Sequence, residues 1–280
     1  FPNPSRTDAG HRLYRPDIID RLRLTSRAID AGHRPSNVVG MSTGDLRELL
    51  ETAGLDRGGY RADRPDLDEL QQQEEGADGS DWLDRWLAAT GRLNGAALSR
   101  RFRHTWNRLG GLDFLVRRVA PFLTRLGEAW ADGDLKVVHE HYASEHLRDF
   151  LSSQWRPISE RSRGPKAVCA TPEDELHTLG LHIAALVLAM ADWRLVFLGA
   201  NTPLDDIVTA VEAESPEAVA ISISQAFDPE QGRDFITRLK DRLPDNVELL
   251  CGGEGSPEVP GTTKFDDLES FYRWAFHRAQ

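Results

Sequence analysis

From Lys166 onward the chain changes period. Four short apolar runs, KAVCA (166–170), RLVFLG (194–199), EAVAISIS (217–224) and VELLCGG (247–253), recur at intervals of about 24–30 residues. Helical patterns at about 176–192, 204–213, 229–243 and 266–277 fill the spaces between them. Strands that alternate with helices of this length are joined as βαβ units, and repeated βαβ units build a parallel sheet with helices on both faces. Residues 163–280 are therefore expected to form a doubly wound α/β domain.

Upstream the apolar spacing is helical. Trp82, Leu83, Trp86 and Leu87 form one stripe, and Leu98, Phe102, Trp106 and Leu109 a second. Leu115, Val119, Phe122, Leu126 and Trp130 form a third, and Val137, Val138 and Leu147 to Leu151 a fourth. Short breaks containing glycine separate them, so residues 81–162 are expected to make an antiparallel four-helix bundle. Before the bundle, residues 65–84 carry eight acids and no base, and 65–80 reads as a linker. Nearer the start, Pro16 to Gly32 encloses the apolar stripe Ile18, Ile19, Leu22 and Ile29, one amphipathic helix. A shorter helix at about 43–53 is capped by Ser42 or Thr43 and ended by Gly54. The chain is thus multidomain, α plus α/β.

Composition narrows the function classes. At 280 residues there is room for about two or three domains, and 40% apolar with 28% charged residues excludes global disorder and fibrous repeats. The most apolar stretch, Leu181 to Ala191, contains His182 and is shorter than the ~18–20 residues a spanning helix needs, so no membrane partner is expected. A net charge of −11 argues against nucleic-acid binding over the whole surface and leaves room for a local basic patch. Cys169 and Cys251 have no CxxC spacing and lie in apolar runs, as expected for buried thiols in a reducing cytoplasm. The chain begins at Phe1, not Met, in the loop-like FPNPSRTDAG, and a further segment is expected upstream.

In an open α/β sheet, ligands bind beyond the carboxyl ends of the strands. The loop after the first run reads Glu175-Leu-His177-Thr178-Leu-Gly180; the third run ends in Ser222-Ile-Ser224, and the fourth in Gly252-Gly253. An acid-x-His-x-x-Gly hexamer alone is a common hydrogen-bonded pair. Three motifs on three loops at one sheet edge are far more specific. Together they resemble the cobalamin-binding domain family, whose signature is acid-x-His-x-x-Gly, Ser-x-Leu and Gly-Gly. Ser224 departs from the Leu of that pattern, and Glu175 is one methylene longer than the more common Asp. The resemblance implies His177 as the lower cobalt ligand with Glu175 on its other ring nitrogen, and a nucleotide tail lying beside Ser222, Ser224, Gly252 and Gly253, near Thr178 and Gly180.

Trp130 is followed after nine residues by Glu140-His141, within WADGDLKVVHEHYASEHL. This element, directly before the sheet region, resembles the MerR-type cobalamin-dependent light-sensing repressors of the CarH and LitR type. There the bundle caps the corrin, the tryptophan fills the space of the adenosyl group, and the Glu-His pair lies near it. A zinc reading of the same run fails on spacing, since His141 to His146 is one residue too long for H-x-x-E-H. Arg6-Thr-Asp-Ala-Gly10-His11-Arg12-Leu-Tyr14-Arg15-Pro16-Asp17 looks like the wing and following helix of MerR-type winged helix-turn-helix regulators, with the recognition helix upstream. On that resemblance residues 1–64 are the C-terminal part of a partial winged helix-turn-helix domain, and Arg6, His11, Arg12, Tyr14 and Arg15 contact operator DNA, the arginines through phosphates.

One position departs from the best-known light sensors: Ala131 follows the bundle tryptophan where they have a histidine that takes the upper cobalt position after illumination. The usual bis-histidine photoproduct is then not expected. A related subgroup, the photocobilins, pairs cobalamin with a bilin such as biliverdin, and loss of the histidine is compatible with it. The reading is a cytoplasmic, non-enzymatic transcription regulator, a dimer or tetramer, with adenosylcobalamin as cofactor and light as input. Alternatives are the photocobilin version, a corrinoid protein of a methyltransferase system, a light-independent cobalamin sensor, or a carrier that only stores or delivers cobalamin.

Overall fold

The computed structural model describes residues 81–265 and 267–280 throughout, and nearer the N-terminus 5–6, 12–13, 18, 21–22, 24–25, 28, 33 and 35–52. Two compact units emerge, Phe1–Gly76 and Ala77–Gln280.

In the first unit β1 (Ser5–Arg6) pairs antiparallel with β2 (Arg12–Leu13), Arg6 opposite Arg12. Residues 18, 21, 22, 24, 25 and 28 are helical, within the stretch expected to form a helix. Helices α1 (Pro35–Val38) and α2 (Thr43–Thr52) follow. Ser42 caps α2 reciprocally: its Oγ accepts from Asp45 N–H, and Asp45 Oδ2 accepts from Ser42 N–H. Leu24, Ala28, Val38, Leu46 and Leu50 form a small core. The acidic linker 65–80, and His11, Tyr14 and Arg15, lie outside the described residues.

The second unit begins with the four-helix bundle. Helix α3 (Asp81–Gly91) and α4 (Gly95–Leu109) occupy the first two stripes. The third stripe is a helical path in three pieces: α5 (Gly111–Phe114), a π-helical turn Leu115–Val119, and α6 (Ala120–Ala131). Pro121 explains the π turn. It has no N–H, and its ring would press on the carbonyl four residues back, so the ladder widens and Ala120 N–H bonds to Leu115 O. Helix α7 (Val137–Ser159) is the longest among the described residues, and Pro157 lies in its last turn. The bundle core is aromatic: Trp86 lies 4.8 Å from Phe102 and 5.2 Å from Phe122, and Phe114 lies 5.5 Å from Phe150, mostly edge to face.

The sheet runs β4 (Arg194–Gly199), β3 (Lys166–Ala170), β5 (Ala218–Ser222), β6 (Glu248–Gly252), β7 (Thr263–Lys264), all parallel. Strand alternation divides it cleanly. Ala167, Cys169, Ala218, Ala220 and Leu250 face the core shared with α8 (Leu179–Met190), α11 (Leu268–Arg278) and the bundle. Val168, Ala170, Val219, Ile221 and Leu249 face α9 (Leu204–Glu214) and α10 (Pro229–Arg242). Helix α8 is apolar nearly all round because the sheet covers one side and α7 the other. At that seam Trp155 Nε1–H donates to His182 Nδ1 at 3.1 Å, and Leu195 N–H donates to Ser159 Oγ at 2.8 Å. Among the described residues no helix is long and apolar enough to cross a membrane.

Candidate functional site

Strand order reverses direction between β3 and β5, which opens a crevice at their carboxyl ends. The loop from β3 to α8 enters it. Thr171, fully buried, donates through Oγ1 to Glu175 O at 2.6 Å, and Asn201 N–H reaches the same carbonyl at 3.0 Å. Asn201 also accepts Asp174 N–H on Oδ1 at 2.8 Å. Asp174 and Asn201 both have left-handed backbones, φ +68° and +52°, which these two residue types tolerate better than most. The loop is thus held from the end of β4.

Within this frame the Glu175 side chain is 1% exposed and accepts four hydrogen bonds. Oε1 takes His177 N–H at 2.8 Å and Nδ1–H at 2.7 Å; Oε2 takes Ser224 N–H at 2.8 Å and Oγ–H at 2.7 Å. Burial opposes ionisation of this carboxyl, but the donors from Ser224 and His177 outweigh it and hold its pKa below the ordinary value. With Glu175 ionised, the network assigns the His177 proton to Nδ1 and leaves the lone pair on Nε2. The His177 side chain is 62% exposed, and its neighbour Leu176 is exposed as well. An imidazole aimed outward with its other nitrogen fixed by a carboxylate is a prepared metal ligand.

Beside it lies a mainly apolar cleft of about 520 Å³ between α8, the ends of β5 and β6, and α11, lined by Gly180, Ile183, Ser222, Gly252, Gly253 and Phe271. A Cβ on Gly180 would lie 2.7 Å from Ser222 Oγ, so glycine lets α8 approach β5. The glycine pair divides its work. A Cβ on Gly252 would meet no atom within 4 Å, so its absence keeps the cleft open, whereas Gly253, at φ +92°, packs on Ile223 O.

On the bundle, Trp130 is half-exposed in the last turn of α6, and Val137 and Val138 are exposed at the start of α7. Glu140 Oε2 bonds His141 Nδ1 at 2.8 Å while Oε1 accepts Ser144 Oγ–H at 2.7 Å. The structure therefore joins Glu175, His177 and Ser224 directly, and gathers Gly180, Ser222, Gly252 and Gly253 around one cleft. Thr178 caps α8 through its backbone, its carbonyl accepting His182 N–H. Among the described residues no hydrogen bond joins Trp130, Glu140 or His141 to that group, and no cluster of three metal-ligating side chains occurs. The paired β1 and β2 contain Arg6 and Arg12. Sequence reasoning missed Thr171 and Asn201; an Asn just past the end of β4, beside the histidine loop, was the available signal.

The family model described as a B12 binding domain matches residues 165–261, which contain strands β3 to β6 and the histidine loop at the switch point. The chain is 30% identical over 252 residues to the HTH-type transcriptional repressor CarH of Myxococcus xanthus, covering 89% of this chain and 79% of that protein. It is 24% identical over 261 residues to the HTH-type transcriptional repressor CarA of the same organism, covering 92% and 79%. The solved monomethylamine corrinoid protein of Methanosarcina barkeri shares the fold, with a TM-score of 0.58 at 13% identity over 70% of this chain and 98% of that one. The chain belongs to the CarH-type family of cobalamin-binding transcription regulators.

Proposed function

We propose that this protein is a light-responsive regulator in which a change at the upper cobalt ligand of bound cobalamin alters oligomerisation and DNA binding. The observation that carries it is the Glu175 carboxylate: it holds Nδ1 of His177 and leaves Nε2 exposed at the switch point. The group fits the residues present, since a free imidazole nitrogen, an exposed apolar Leu176 and an adjacent cleft of about 520 Å³ suit a cobalt macrocycle with an appended nucleotide. When bound, adenosylcobalamin supplies a light-sensitive cobalt–carbon bond.

His177 is the lower ligand in this reading, and Glu175 with Ser224 keeps its tautomer and direction. Thr178, Gly180, Ser222, Gly252 and Gly253 border the nucleotide tail. Trp130 and the Glu140-His141 pair contact the upper side, and Ala131 leaves that side without the usual second imidazole. Ala131 favours a second reading, in which a bilin such as biliverdin serves with cobalamin. Residues 81–162 form the cap, 163–280 the cobalamin domain and 1–64 the DNA-binding part, where Arg6, His11, Arg12, Tyr14 and Arg15 contact operator DNA. Switching requires that the cofactor states favour two protein arrangements unequally.

Absorption spectra of the protein with adenosylcobalamin, with and without biliverdin, before and after illumination, test this. A light-dependent change seen with cobalamin and abolished in His177→Ala supports it. Binding without a light response would leave a light-independent sensor, and absence of binding would remove the central claim.

A further inference from the structure

Between Arg85 and Leu112 the chain has six arginines and no acidic residue, against a net charge of −11 overall. Four of the six lie on α4. A step of about 100° per residue places Arg100, Arg103, His104, Asn107 and Arg108 on one side of that helix. Leu98, Phe102 and Thr105 are buried on the other. Arg103, Asn107 and Arg108 are exposed, and Arg100 is partly so.

Several cations elsewhere have an acid beside them: Arg117 with Asp113, Arg125 with Glu128, Lys166 with Glu214, Arg238 with Asp234. Arg100, Arg103 and Arg108 have no acidic partner among the described residues. A helix gains nothing from neighbouring like charges three residues apart. From Arg100 to Arg108 the stripe is about 12 Å long along the axis. One DNA strand presents a phosphate about every 3.4 Å of axis, so there is room for about three. Guanidinium forks match phosphate oxygens, and an asparagine amide donates to them as well.

We infer that this face of α4 is a sequence-independent phosphate-binding surface for duplex DNA, additional to the contacts expected of Arg6, Arg12 and Arg15. The inference rests on the reading of this chain as a DNA-binding regulator. The test is fluorescence anisotropy of the whole chain with a labelled duplex of mixed sequence, titrated over a range of KCl concentrations. The triple variant Arg100→Gln, Arg103→Gln, Arg108→Gln is compared with wild type and with Arg6→Gln, Arg12→Gln, urea midpoints confirming that each is folded. The triple variant is expected to lower the slope of log K against log salt by about 2.7, since each phosphate no longer neutralised lowers it by about 0.9. An unchanged slope in the triple variant, with weaker binding in the Arg6, Arg12 variant, overturns the α4 surface and leaves the DNA reading standing. A wild-type chain that binds no duplex at low salt ends both. Unchanged DNA binding with an altered sedimentation coefficient assigns the face to contacts between copies instead, and also overturns the inference.

Discussion

Ser224 binds Glu175 twice: its backbone N–H and its hydroxyl both donate to Oε2, at 2.8 and 2.7 Å. The end of β5 thereby supports the carboxylate that orients His177. In Glu175→Gln one end of the amide must present N–H either to the His177 donors or to the Ser224 donors. The partly buried Ser224 donors would lose an acceptor at a cost of up to about 1–3 kcal/mol, whereas the exposed His177 ring would turn to water and lose its fixed direction. Cobalamin affinity is expected to fall about 10–100-fold, as when the supporting partner of a ligating histidine is removed. A spectrophotometric titration checks this, and unchanged affinity would show that Glu175 does not support the ligand. Acid acts in the same direction. The pKa of Glu175 is depressed in the fold, so the stability it contributes is present above the ordinary carboxylate range and is lost as pH falls through the folded pKa.

Two adjacent glycines are expected to respond differently to the same methyl. In Gly253→Ala the new Cβ would meet Ile223 O at 2.2 Å on a backbone with φ +92°. A loss of about 1–3 kcal/mol, read from the urea midpoint, is expected from the backbone conformation alone. Gly252→Ala places its methyl where no atom lies within 4 Å, so stability is expected to move by less than about 0.5 kcal/mol. That methyl borders the cleft, and the cost is expected in cobalamin affinity. Equal destabilisation of both variants would contradict this division.

Burial pushes the Cys169 thiol up to about 12, and pushes Cys251 up to about 11 against the opposing influence of Thr262 and Lys264. Only thiolate reacts readily with an aromatic disulfide reagent. At pH 8 neither cysteine is expected to label in the native protein, and both are expected to label in urea. Rapid native labelling of either would mean that β3 or β6 opens to solvent.

The sheet was legible because β3, β5 and β6 alternate between two cores, and because apolar helices fill the gaps between the strands. Strand β7 was not, since Thr263–Lys264 is too short for any period and pairs only because β6 offers it an edge. The π turn at Leu115–Val119 needs the bundle to hold a helix across Pro121, which spacing alone does not reveal. At the site, residue types at fixed spacing exposed Glu175 and His177. Asn201 acts through the main-chain carbonyl of Glu175, 26 residues away in sequence, and leaves no such spacing. Ser224, a departure from the Leu of the resembled pattern, supplies two of the four hydrogen bonds that Glu175 accepts.

The seam between bundle and sheet contains a pH-dependent contribution to stability. His182 is 5% exposed, and its Nδ1 accepts the Trp155 indole N–H, which requires the neutral ring. Burial first, then the charges of Arg148 and Arg156, lower its pKa from 6.5 to about 4. Because the folded pKa is depressed, the unfolded chain binds a proton before the folded one does. Stability is therefore complete above about pH 6.5 and declines as pH falls towards 4, by about 3 kcal/mol at the lower end. Urea denaturation followed by tryptophan fluorescence between these pH values checks the slope. His182→Gln, which retains an acceptor for Trp155 and cannot titrate, is expected to remove most of it. A slope that persists unchanged in that variant would place the titrating group elsewhere.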